Sequence, residues 1–124
     1  MGMDRTIRLP GSAVPPWDDI RTHLRRVGEE PVVRMIDGLP AFPDETPEPG
    51  WKEIRVGLAA GMVSLRRGPG GLVCVVWGNA DAGLVAGWDK LCWACAAAGG
   101  GVVVTPTGDV SADDFAAAHH LPLS

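Results

Sequence analysis

Two cysteines in the segment LCWAC, Cys92 and Cys95, are spaced like the residues of a redox or metal site. Thiol–disulfide enzymes and many zinc sites use this CxxC spacing. A reactive thiol of this kind belongs at the start of a helix, where the helix dipole stabilises the thiolate. Zinc needs two further ligands, and only His119 and His120 follow the cysteines as candidates.

The residues around the cysteines predict one long helix from 82 to 98, which ends at a run of three glycines. Cys92 is about ten residues into this helix, where the dipole no longer acts on a thiol. We therefore expect both thiols to be buried against a sheet as small apolar side chains, with a thiol-redox or metal role as a weaker alternative. At 100° per residue, one arc of this helix is about 120° wide, which is the usual width of a core-facing stripe. It contains Leu84, Trp88, Leu91, Cys92, Cys95 and Ala98.

Trp93 lies about 180° from Leu84 on the same helix, on the polar side with Asp89 and Lys90. Large aromatic side chains concentrate at protein interfaces, which makes these three residues the candidate interface. The alternative is that the C-terminal segment folds over the indole. Both interpretations predict that Trp93 is less exposed than its position on the helix suggests.

Arg66 and Arg67 precede the segment GPGG and form a weaker candidate for anion binding. The segment lacks the Gly-Lys-Ser/Thr ending and the following helix of a phosphate-binding loop, so a hairpin turn is the better interpretation. In an extended strand the two arginines also point to opposite faces. No serine, cysteine or histidine arrangement predicts a catalytic site, which favours a protein that is not an enzyme.

The composition of the chain excludes several classes of protein. It is 46% apolar and 21% charged with a net charge of −4, which is typical of a globular domain and does not favour nucleic-acid binding. No apolar run is long enough for a membrane span, and the first residues do not resemble a signal peptide. Three cysteines do not predict a disulfide framework. We expect a cytoplasmic protein, and the preference for arginine over lysine suggests a bacterial source.

The elements that position these residues predict an α+β fold. The expected architecture is a single two-layer domain over residues 1–124: a mainly antiparallel sheet of about five strands, with the 82–98 helix and one or two shorter helices packed on it. A proline-rich loop at 39–50 interrupts the strands. Three tryptophans are expected to anchor the core, namely Trp17, Trp77 and Trp88. Helices are predicted at 17–27 and 112–119, and the clearest strands at 31–36, 53–58, 62–67, 72–77 and 102–105.

These observations predict a non-catalytic module for protein interaction or oligomerisation, whose partner is another protein or a second copy of the chain. The main alternative is a small-molecule-binding domain or enzyme with a pocket between the 82–98 helix and the sheet. No cofactor is predicted. The sequence indicates no known family.

Overall fold

The computed structural model describes residues 3–42 and 44–123, and within these residues the chain forms an eight-stranded antiparallel sheet and three α-helices. The strands lie in the order β3-β2-β4-β5-β6-β1-β7-β8. Their bounds are β1 Met3–Arg8, β2 Val32–Ile36, β3 Leu39–Pro40, β4 Glu53–Leu58, β5 Gly61–Gly68, β6 Gly71–Val76, β7 Val102–Thr105 and β8 Gly108–Ser111. The helices are α1 Trp17–Arg26, α2 Ala82–Gly99 and α3 Ala112–Ala118.

The helices α2 and α3 begin where the sequence places capping residues. The Asp81 carboxylate accepts a hydrogen bond of 2.8 Å from the Leu84 N–H at the start of α2, and Gly100 ends that helix in the left-handed conformation. The Ser111 hydroxyl accepts from the Asp114 N–H at the start of α3. None of the helices in the described part of the chain is both long and apolar enough to cross a membrane.

The α+β class and the antiparallel sheet are confirmed, but the predicted sheet of about five strands is wrong. Strands β3 and β8 have no alternating apolar pattern, since β3 has two residues and β8 reads GDVS. Each of these strands pairs with the preceding strand through a tight turn, so the geometry of the turn, rather than the burial of side chains, determines the pairing. The simple two-layer arrangement is also wrong, because α1 packs against α2, and α3 packs against both α2 and the sheet.

The two faces of the sheet differ. One face, which we call the helix face, contacts α2 and carries fully buried side chains such as Ile7, Leu65 and Cys74. The other, which we call the open face, carries the alternate residues of the same strands. On β6 these are Val73 and Val75, which stand opposite Arg66 and Ser64 of β5.

The predicted tryptophan core is confirmed for Trp17 and Trp88, which are 3% and 5% exposed, and wrong for Trp77, which is 59% exposed. Trp77 continues the alternation of Val73 and Val75 and therefore lies on the open face. The unbroken apolar run LVCVVW concealed this alternation. Trp51, at the end of the proline-rich loop, is the buried tryptophan that the sequence did not indicate.

Two glycines allow β1 to fit between its neighbours in the sheet. A Cβ atom at Gly71 of β6 would lie 2.2 Å from the Ile7 carbonyl oxygen, and one at Gly101 would lie 2.2 Å from the Arg8 carbonyl oxygen. No other residue type fits at either position without moving the backbone. The glycine run after α2 therefore brings β7 against β1 as well as ending the helix.

Candidate functional site

The two cysteines of LCWAC meet a third thiol that the sequence did not connect with them. Cys74 of β6 lies against Cys92 and Cys95, and all three side chains are fully buried. The hydrogen bond with Cys92 lowers the pKa of Cys74, but the hydrogen bond with Cys95 and burial outweigh it and raise that pKa well above the ordinary thiol value. Burial, then the hydrogen bond with Cys74, raises the pKa of Cys92. In residues 3–42 and 44–123, no His, Cys, Asp and Glu side chains form a cluster of three able to hold a metal ion.

We expect the three native thiols to react with a disulfide reagent at neutral pH no faster than the protein opens. The reason is that a buried, protonated thiol is a poor nucleophile. Labelling kinetics followed by mass spectrometry measure this, and the Asp44→Cys variant, with one exposed thiol, is the matched control. The control thiol should react within seconds and the other three over a much longer time. Fast labelling of Cys92 in folded protein contradicts the assignment of these thiols to the core.

A charged cluster joins β1, α2 and α3. The Arg5 guanidinium forms an ion pair with the Asp89 carboxylate and lies 3.8 Å from the centre of the Trp88 ring. The second oxygen of the same carboxylate, Oδ2, is 3.3 Å from His119 Nδ1. The His119 ring packs on Phe115 with ring centres 4.1 Å apart. Side-chain exposure falls from 31% at His119 to 18% at Arg5 and 13% at Asp89.

An imidazole oriented by a carboxylate is the arrangement that enzymes use for a general base. Here the same carboxylate also neutralises Arg5, whose guanidinium is held by the Trp88 ring, so the cluster binds three elements together. No local pattern in the sequence indicates this cluster, because Arg5 and Asp89 are 84 positions apart. We assign these residues a structural role.

The predicted interface residues on α2 are covered within the chain. Trp93 is 2% exposed, although its position on the helix predicted that it faces away from the core. The side chains of α1 cover it, with the His23 ring 5.7 Å from the indole and the Arg26 guanidinium 5.8 Å from it. The expectation of an outward indole is wrong because α1 packs on that side of α2.

Lys90 is also occupied within the chain. Its Nζ lies 3.1 Å from a carboxylate oxygen of Glu29, a side chain that is only 6% exposed. The other carboxylate oxygen of Glu29 accepts a hydrogen bond from the Ala59 N–H. These contacts join the end of α1 to α2 and to the turn between β4 and β5. Asp89 is likewise paired with Arg5. An interface role for Trp93, Asp89 and Lys90 stays a prediction.

The two arginines of the anion candidate lie on opposite faces of the sheet. Arg67 is on the helix face, where its guanidinium donates to the backbone oxygens of Pro49 and Trp51 and anchors the end of the proline-rich loop. Arg66 is on the open face, opposite Glu53 of β4. The structure therefore does not bring them together as an anion site.

The space between α2 and the sheet, where the alternative prediction put a ligand pocket, is filled by side chains. Leu91 and Cys95 of α2 and Ile7 and Leu65 of the sheet are all fully buried there. A ligand at this place requires these side chains to move. One hollow that borders α2 lies on its other side, above Trp93, and contains His23, Arg26 and Asp113.

The open face presents apolar side chains without a helix to cover them. Trp77 is 59% and Met62 is 42% exposed, and the two side chains line one hollow with Ser64, Arg55 and, from the first turn of α2, Leu84. Exposed apolar side chains gathered in one place on a folded domain mark an interaction site. The signal in the sequence is the alternation 73, 75, 77 within the run LVCVVW.

Charged residues surround this apolar centre. The centre line of the open face runs between β5 and β6. Arg55 of β4 and Asp4 of β1 lie on opposite sides of this line, each separated from it by one strand. A Cβ at Gly57 would lie 3.1 Å from the Arg34 side chain, which places Arg34 on this face too. Arg8 pairs with Asp109 at the far side of the same face.

Comparison of the chain with protein-family models, with curated proteins and with solved structures found no match.

Proposed function

We propose that this protein is a binding module that docks another protein on the open face of its sheet. The observation that carries the proposal is the placement of Trp77 and Met62, which are exposed in one hollow of the open face that Leu84 of α2 borders. Tryptophan and methionine are enriched at protein interfaces, and tryptophan is frequent among the residues that dominate binding energy.

The composition of the face supports a protein partner rather than a small molecule. The polar residues of the open face include arginines and acidic residues on neighbouring strands, such as Arg55, Arg66 and Asp4. A polar rim around an apolar centre is the usual anatomy of a protein interface. A drug-sized ligand is mostly enclosed by its pocket, whereas this surface is an exposed sheet.

Photocrosslinking in the native cells of the protein tests this proposal. A photoreactive side chain is introduced at Arg66, on the open face, or at Arg25, which is exposed on α1. We expect a specific protein adduct from position 66 that is absent at position 25 and is lost when Trp77→Asp is added. Equal adducts from both positions, or an adduct that survives Trp77→Asp, overturn the proposal.

A further inference from the structure

The open face has a symmetry that indicates which protein it docks. The eight strands divide into two halves of four at the line between β5 and β6. If a second copy faces the first after a rotation of 180° about an axis parallel to this line and above the open face, β5 covers the partner's β6 and β4 covers the partner's β1. Because each strand of a sheet is twisted relative to its neighbour, contact is expected mainly between these four central strands.

The charges of the two halves are opposite. On the half formed by β2, β4 and β5, the open face carries Arg34, Arg55 and Arg66 against Glu53. On the half formed by β6, β1, β7 and β8, it carries Asp4 and Asp109 against Arg8. The rotation brings the positive half of each copy over the negative half of the other, which favours association.

Individual residues also pair under this rotation. Arg55, Ser64, Val75 and Asp4 form one row across four strands. Arg55 therefore lies over Asp4 of the second copy, whereas Ser64 and Val75, between them in the row, are already buried within one chain. Because Met62 and Trp77 occupy the two sides of the same centre line, each covers the other across the interface.

From these complementary charges and side chains we infer that the open face docks a second copy of this chain, with the two-fold axis along the strands between β5 and β6. This inference rests on the function proposed above and names the partner. Two sheets that pack face to face with their strands about 30° apart make the same kind of aligned contact as the layers of a β-sandwich.

A pair of charge reversals tests the inference in purified protein. In a dimer of Arg55→Asp, the introduced aspartate of each copy faces Asp4 of the other copy. In a dimer of Asp4→Arg, the introduced arginine of each copy faces Arg55 of the other copy. Each variant alone should self-associate at least about tenfold more weakly than the wild type, because like charges that face each other at an interface are destabilising. An equimolar mixture should associate again, because both Asp–Arg pairs form in the heterodimer.

Sedimentation equilibrium of the wild type, each variant and the mixture gives the association constants. Arg25→Asp, a reversal at an exposed site on α1, is the control and should associate like the wild type. A wild type that stays monomeric, or a mixture that stays as weak as its components, overturns the inference. In that case a Trp77-dependent adduct with a different protein in the crosslinking experiment leaves the proposed function standing, whereas the absence of any such adduct overturns both.

Discussion

Trp77→Ala is expected to weaken self-association at least about thirtyfold, which corresponds to the roughly 2 kcal/mol that defines a dominant interface residue. Trp77 is a large exposed side chain on the open face, directly after the last residue of β6, and in the inferred dimer it covers Met62 of the second copy. Because the indole is already 59% exposed in one chain, the free energy of unfolding should change by no more than about 1 kcal/mol.

Leu123→Ala is the control for this variant. Leu123 is 46% exposed but lies on the helix side of the molecule, next to the hollow above Trp93. Its truncation should leave the association constant unchanged. If both variants weaken association equally, or if Trp77→Ala leaves it unchanged, Trp77 is not at the interface.

Arg5→Met is expected to lower the free energy of unfolding by about 3 kcal/mol, because it leaves a nearly buried carboxylate without its guanidinium. The Asp89 side chain is 13% exposed, and His119 is the second group in contact with it. Loss of the cation also removes the contact with the Trp88 ring. Urea denaturation of dilute protein measures the change in stability.

Arg8→Met provides a matched control on the same strand. Arg8 also pairs with an aspartate, Asp109, but these side chains are 59% and 38% exposed. An exposed pair contributes little, so the expected loss is within about 0.5 kcal/mol. Equal losses for the two variants contradict the structural role assigned to Arg5.

Much of the secondary structure was predictable because it depends on residues near in sequence. The helix stripe Trp17, Ile20, Leu24 is buried as its spacing indicated, and α2 begins after the capping Asp81. Strand β8 was missed because its residues are mostly exposed, so no periodic pattern marks it. The number of strands in the sheet could not be predicted for the same reason.

The candidate sites were less predictable because they join distant segments. The burial of Cys92 and Cys95 follows from their positions on one helix, but their contact with Cys74 depends on where β6 lies in the sheet. Trp93, which was expected on the outward side of its helix, is buried, and Trp77, which was expected in the core, is exposed. Trp93 lies on a helix face that α1 covers, and Trp77 belongs to an apolar run that suggested burial on both faces.

The exposure of Trp77 as a function of protein concentration tests the central claim most directly. The other four tryptophans are at most 5% exposed, so acrylamide quenching reports mainly on Trp77, and Trp77→Phe gives the background. If a second copy docks on the open face, quenching of Trp77 decreases as the protein concentration rises, along the same curve as the increase in mass. Quenching that stays constant while the mass doubles, or a mass that never rises, contradicts docking of a second copy on the open face.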